Sequence, residues 1–315
     1  REFGRRHESE ERRAGLHDLD VQPFYARMGL AQQATIFRTS ARRRVVLATN
    51  VAETSVTVPG ICFVVDTGLA RVSRYNYRTK VQGLPVENVS QAAAEQRKGR
   101  CGRIAPGVCF RLYAEDDFSQ RVAFTDAEIV RTNLGAVILQ MKSLRLGEIE
   151  KFPFIDAPDN RFVKDGYRLL RELGALDEQD NLTELGRKLA RLPLDPQLSR
   201  MILEAGPQNA VGEVLTLAAA LTIADPRERP LDNREAADHA HKSFADKQSD
   251  FVTWLNLWNR FAEQKRQRTR SELRAWCRDN FLNQARLREW GDVRRQLKSL
   301  AAELGLQVLE QPASY

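Results

Sequence analysis

Three short runs of apolar, β-branched residues constrain this chain most: Val45-Val46-Leu47-Ala48-Thr49, Ile61-Cys62-Phe63-Val64-Val65 and Val108-Cys109-Phe110-Arg111-Leu112-Tyr113. Near-continuous apolar runs of this length are the pattern of strands buried on both faces of a parallel sheet. Helix-compatible segments accompany them, at residues 31–38 and 91–104. A strand, loop, helix, strand rhythm means an α/β fold with a parallel sheet. The first third of the chain is therefore expected to be a doubly covered α/β lobe.

Beyond about Thr125 the pattern turns helical. Ile129, Leu134, Val137, Ile138 and Met141 recur at near-helical spacing before Pro153 and Pro158 interrupt the chain. A compact unit follows, with a helix over 163–173, Gly174 as its stop, a short strand at Ala175-Leu176, a turn at Asp180-Asn181 and Thr183 as the next N-cap. Helix, short hairpin and helix in that order resemble a winged helix. After Pro196 the chain reads as mainly helical, with residues 211–221 apolar on nearly all sides and a polar loop at 225–233. The expected division is an α/β lobe over 1–122, a winged helix over 123–195 and a helical domain over 196–315.

The 315 residues carry 49 Lys and Arg against 42 Asp and Glu, a net charge of +7 that suits a polyanionic partner. The excess is concentrated, because twelve Arg or Lys face five Asp or Glu between Asn259 and Lys298. No apolar stretch approaches the ~20 residues of a membrane helix, so no membrane partner is expected. The four cysteines, Cys62, Cys101, Cys109 and Cys277, form no C-x-x-C pair. Together with the absence of a signal-peptide core near Arg1, they point to a reducing, cytoplasmic setting. His239-x-His241 lacks companions at ligand spacing, and no metal site is expected on this chain.

Two segments carry chemistry. The first is Gln96-Arg97-Lys98-Gly99-Arg100-Cys101-Gly102-Arg103. If the helix continues through it, Gln96, Arg100 and Arg103 sit at i, i+4 and i+7 on one stripe. One amide and two guanidinia on one face suit a triphosphate: the guanidinia neutralise charge on a transferring phosphoryl group, and the amide orients the attacking water. Gly99 and Gly102 would each cost such a helix about 1 kcal/mol against Ala, which argues for close approach of a ligand and against a merely solvated basic face. The second is Thr49-Asn50-Val51-Ala52-Glu53-Thr54-Ser55-Val56-Thr57, directly after the first apolar run. Hydroxyl and amide groups beyond the carboxyl end of a parallel strand lie where open α/β sheets bind ligands, and they can donate to phosphate oxygens. Helix N-capping would account for one such residue, not five.

Residues 47–68, LATNVAETSVTVPGICFVVDTG, together with QRKGRCGR, resemble motifs V and VI of the DEAH-box helicases of superfamily 2, in detail the bacterial RNA helicases of the HrpA type. The likeness continues through RTKV at 78–81, ILQMKSL at 138–144 and LTELGRKLARLPLDP at 182–196, and spans residues 21–221. It implies a RecA-like second lobe, then winged-helix and ratchet-like domains, in an enzyme that uses ATP with Mg²⁺ to move 3′ to 5′ on single-stranded or structured RNA, including ribonucleoprotein. Gln96 would position the hydrolytic water, and Arg100 and Arg103 would be arginine fingers. Asp66 would approach the ribose, and Phe37 would either stack on adenine or serve as a core aromatic. Thr49 and Asn50 would touch the RNA backbone or link it to the nucleotide site, with Ser55 and Thr57 shaping that link. Arg71 and Arg78 belong to a segment, 71–89, that resembles an RNA-gripping β-hairpin.

Cys101 stands where the family usually has Ala, a small replacement. None of the 18 glycines is followed by Lys, so G-K-[ST] is absent, as is an Asp-Glu-Ala-His box. The resemblance places both, and most of the Mg²⁺ ligands, in a first lobe preceding Arg1, and places further domains after Tyr315. The chain is thus expected to be a piece of a longer helicase that binds RNA weakly and does not hydrolyse ATP alone. Competing readings are a non-catalytic RNA-binding module and a protein-interaction scaffold on the C-terminal helices. Trp254, Trp258, Trp276 and Trp290 fit either base stacking or an interhelical core, and the basic face over 260–295 fits either RNA phosphates or neighbouring domains.

Overall fold

A computed structural model describes residues 19–25, 28, 30–53, 57–76, 78–230 and 233–308. The chain divides into two compact units, residues 1–133 with 154–162, and residues 134–153 with 163–315.

In the first unit, β1 (Leu19–Phe24) leads through α1 (Leu30–Ile36) to β2 (Arg43–Ala48), and the two strands pair in parallel with Val21 opposite Val45. Arg44 on β2 bonds Asp20 on β1 at 2.8 Å. A second parallel pair joins β3 (Phe63–Asp66) to β8 (Val108–Arg111), with Val64 opposite Cys109. Between them the chain makes two antiparallel pairs. One is β4 (Leu69–Arg71) with β7 (Val86–Asn88), and the other is β5 (Arg74–Asn76) with β6 (Val81–Gly83). This is the hairpin expected over 71–89. Helix α2 (Gln91–Lys98) then packs on β3, and α3 (Glu115–Gln120) follows β8.

Two expectations are corrected. The parallel strands are not buried on both faces: Phe63, Val65, Val108 and Phe110 are exposed, and Phe63 stacks on Phe110 with centroids 6.4 Å apart. Their neighbours Val64 and Asp66 turn inward, so the β3–β8 pair shows the two-residue alternation of strands with one packed face. Nor does α2 reach residue 104. It ends at Lys98 with Gly99 as its C-cap, and the chain up to β8 is irregular.

The second unit is helical, with α4 (Gly135–Ser143), α5 (Asn160–Glu172) from residue 163 onward, α6 (Glu184–Ala190), α7 (Pro196–Ala205), α8 (Val211–Thr222), α9 (Arg234–His241), α10 (Asp250–Gln267), α11 (Arg270–Asp279) and α12 (Gln284–Glu303). The expected local signals are present. Gly174 takes φ +71° just past α5, and Thr183 caps α6 by accepting from the Gly186 N–H at 2.9 Å. The short strands reduce to one antiparallel bridge between Leu176 and Leu182. Helix α8 is buried nearly all round, as its composition requires, and packs against α7, α10 and α12.

The tryptophans belong to that core. Trp290 is fully buried and donates its indole N–H to the Thr216 carbonyl at 2.9 Å, with Trp254 and Trp258 at 5.4 and 5.1 Å between ring centroids. Trp276 packs edge-on to Phe244, and His241 lies 3.2 Å from the Phe281 carbonyl. No described helix is long and apolar enough to cross a membrane.

Candidate functional site

The carboxyl ends of β2 and β3 and the C-terminal end of α2 supply the candidate residues. Beyond β2 the chain turns at once: Thr49 donates its N–H to the Phe24 carbonyl at 3.0 Å, and a short 3₁₀ turn over Asn50–Ala52 closes with the Glu53 N–H on the Asn50 carbonyl at 3.0 Å. The Thr49 and Asn50 carbonyls are spent on the turn, and the Thr49 and Asn50 side chains are exposed, with no capping bond from Thr49. Ser55 lies outside the described residues, and Thr57 begins the next described stretch.

Strand β3 delivers Asp66 to the interior, where it is 1% exposed. One carboxylate oxygen accepts from the Gly68 N–H at 2.9 Å and from Arg97 at 2.7 Å, and the other accepts from the Tyr113 hydroxyl at 2.9 Å. Burial works to raise the Asp66 pKa, but Arg97, the Gly68 amide and Tyr113 outweigh it and hold the carboxyl below the usual range. Gly68 sits at φ +72°, and a Cβ there would fall 2.6 Å from the Tyr113 ring, so only glycine lets the tyrosine close over Asp66. Every oxygen of Asp66 is occupied by the protein itself.

Arg97, on the last turn of α2, holds three acceptors at once. Its Nε donates to Glu53 at 2.6 Å, one terminal nitrogen donates to Asp66, and the other donates to the Leu69 carbonyl at 3.2 Å. Burial opposes its charge, yet the bonds to Asp66 and Glu53 raise its pKa on balance. Sequence reasoning assigned no part to Arg97, Glu53 or Tyr113. The available signal was position, since Arg97 stands beside Gln96 and Glu53 lies amid the hydroxyl-rich loop.

Gln96 is exposed one residue earlier on α2. Past the cap at Gly99, Arg100 donates from Nε to the Gln96 carbonyl at 3.2 Å, and Cys101 is buried with its thiol 3.1 Å from the Lys98 carbonyl. Arg103 then reaches across to hydrogen-bond the Thr57 hydroxyl. Gln96, Arg100 and Arg103 are therefore gathered by a helix end and a folded loop, not by one helical stripe. Burial and the charge of Arg103 both lower the Arg100 pKa, against a smaller opposing effect of Glu53.

Other predicted residues lie apart from this cluster. Phe37, just past α1, is 42% exposed and leans edge-on against buried Phe24 at 6.3 Å, so it is neither a sealed core residue nor a wholly free ring. Arg71 ends β4 and donates to the Leu84 carbonyl at 3.4 Å; Arg78 is exposed in the β5–β6 turn, where its N–H meets the Asn76 side chain at 2.9 Å. Among the described residues no three His, Cys, Asp or Glu side chains gather as a metal site.

The chain matches the helicase conserved C-terminal domain over residues 6–105, the winged-helix helicase-associated domain over 167–194 and the ratchet-like helicase-associated domain over 195–254. It is 53% identical over 305 residues to the ATP-dependent RNA helicase HrpA of Escherichia coli K12, which covers 95% of this chain and 24% of that protein. It is 50% identical over 307 residues to the HrpA homolog of Haemophilus influenzae, at the same coverage. Against the probable ATP-dependent RNA helicase DHX34 of Homo sapiens it is 39% identical over 295 residues, 93% of this chain and 26% of the relative. The chain thus spans about a quarter of the length of the curated relatives it matches.

Proposed function

Because the chain belongs to the DEAH-box RNA helicases of the HrpA type, we propose that it supplies the second-lobe half of an ATPase site and part of the RNA path of a motor that moves 3′ to 5′ on RNA. The division into an α/β lobe over 1–122, a winged helix over 123–195 and a ratchet-like domain over 196–315 belongs to the same reading. The observation that carries it is the Arg103–Thr57 bond, which brings the arginine-bearing loop against the loop that follows β2. ATP binds beside Arg100 and Arg103, whose positive charges lie near enough to act on each other. Both guanidinia stabilise charge developing on the γ-phosphoryl group, and Gln96 holds the attacking water. Thr49 and Asn50, with Arg71 and Arg78 on the hairpin, contact RNA phosphates, giving a grip independent of sequence. Phe37, with its half-exposed ring, serves the adenine.

Among the described residues the donor set offers no cage for a divalent ion, and Mg²⁺ is held mainly by groups outside this chain. With no G-K-[ST] phosphate loop in its sequence, the chain by itself binds RNA weakly and does not turn over ATP. In the full-length helicase, working in the cytoplasm on RNA or ribonucleoprotein, Arg103→Ala lowers ATP turnover by about two to three orders of magnitude with RNA affinity nearly unchanged. Steady-state ATPase with saturating RNA, alongside fluorescence anisotropy of a labelled RNA, measures both. A turnover loss under about threefold removes the finger assignment.

A further inference from the structure

Arg97 joins three stretches of chain that the proposed function gives different tasks. Glu53 belongs to the turn carrying Thr49 and Asn50; Asp66 and Leu69 flank the end of β3; Arg97 itself lies beside Gln96 and just before Arg100. The bonds are 2.6 Å to Glu53, 2.7 Å to Asp66 and 3.2 Å to the Leu69 carbonyl, made by three different nitrogens of one planar group. The side chains are 15% exposed for Arg97, 17% for Glu53 and 0% for Asp66, so water screens the contacts little. Tyr113 fixes the far oxygen of Asp66, which makes that carboxylate an anchor rather than a hinge. A displacement of the 49–53 turn therefore cannot be absorbed locally. It must rotate the guanidinium, and with it the last turn of α2, or break a charge-assisted bond.

We propose that Arg97 and Glu53 are positioning residues that transmit RNA contact at the 49–53 turn to Gln96, Arg100 and Arg103. This rests on the helicase reading above. Neither residue touches RNA or nucleotide; each acts through the turn or helix end it holds. A lysine at position 97 presents one point charge and cannot hold three acceptors in fixed directions. Glutamine at 53 keeps the shape and an acceptor but removes the charge.

The test uses the full-length helicase, comparing wild type with Glu53→Gln, Arg97→Lys and the double variant. ATP turnover is measured without RNA and with saturating oligouridine, together with oligouridine affinity and the thermal midpoint. In both single variants the RNA stimulation of kcat falls about tenfold, within the usual range of coupling between sites. Turnover without RNA and RNA affinity stay within about threefold, and the double variant loses no more stimulation than the worse single one, since both break one link. Stimulation within about twofold of wild type in both single variants overturns the coupling role. So does a proportional fall of basal and stimulated turnover with a lowered midpoint, which marks a purely structural pair. A wild-type helicase whose ATPase ignores RNA instead refutes the function on which the inference rests.

Discussion

The loop that carries Arg100 and Arg103 is held from behind by Gly107, and replacing that glycine with alanine tests whether its backbone placement is real. A Cβ at 107 would lie 2.2 Å from the Cys101 carbonyl oxygen, 2.8 Å from the Cys101 carbonyl carbon and 2.7 Å from the Cys62 carbonyl oxygen. Ordinary contact begins at about 3.4 Å, so the methyl is more than 1 Å too close on one side, and the Cys62 oxygen blocks escape on the other. All three opposing atoms are backbone. Relief must displace either the 99–105 loop or the start of the β3–β8 ladder, where the Cys62 carbonyl accepts from the Val108 N–H at 2.9 Å.

Overpacking of this kind costs about 1–3 kcal/mol. With a urea slope of about 2 kcal/mol/M, a 2 kcal/mol loss moves the unfolding midpoint down by about 1 M. Gly102→Ala is the internal comparison, because a Cβ at 102 meets nothing within 4 Å, and it should stay within about 0.5 kcal/mol of wild type. The four tryptophans all lie beyond residue 250, in the second unit. Their fluorescence follows that unit, while far-UV circular dichroism also registers the first. Gly107→Ala should shift the dichroism transition to lower urea. In the full-length helicase, a loop moved by about 1 Å should cost about a hundredfold in ATP turnover. Equal stability of Gly107→Ala and wild type, or equal damage from Gly102→Ala, would refute the packing argument.

Two further outcomes follow from the buried polar groups. Burial, then the neighbouring Asp66 carboxylate, raises the Tyr113 phenol to about 12 from an ordinary 10. Its contribution is therefore complete below pH 10 and lost as the pH rises toward 12, a loss that denaturation between pH 9 and 12 should show and that Tyr113→Phe should abolish. In the second unit, Trp290→Phe removes the indole donor from the buried Thr216 carbonyl and part of a fully buried ring; it should cost about 2–4 kcal/mol and lower the thermal midpoint of that unit.

Local signals were legible where the local residue decides the backbone. The runs Val45 to Thr49, Ile61 to Val65 and Val108 to Tyr113 mark strands within two residues of their observed ends, and Gly174 and Thr183 stop and start helices as their chemistry requires. The stretch after Lys98 was not legible, because Arg100, Cys101 and Arg103 are all compatible with helix. Tertiary contacts decide it instead: Cys101 is buried beneath the helix end, and Arg103 bonds Thr57, 46 residues earlier. The Arg97 contacts were invisible for the same reason, with Glu53 and Asp66 lying 44 and 31 residues away. No periodicity reports a pairing across such distances. The exposed faces of the parallel pairs also escaped, since an apolar run does not say which side is covered.

A charged group at the heart of this arrangement needs a reason, because an apolar trio of similar volume would hold α2 against β3 about as well. Apolar packing, however, is non-directional and tolerates small rotations of a helix about its axis. A guanidinium with three fixed acceptors does not, since rotation of α2 would stretch bonds of 2.6 and 2.7 Å in opposite segments. Under the proposed function that rigidity has a use. A displacement of the 49–53 turn on RNA contact reaches Arg100 and Arg103 as a movement of the helix end, so the gain in stabilising the moving phosphoryl charge comes from donors that RNA brings into place. The desolvation cost of Arg97 and Asp66 is then the means by which the helix end is oriented, and Asp66, walled in by Gly68, Tyr113 and Arg97, acts as the fixed point from which that orientation is set.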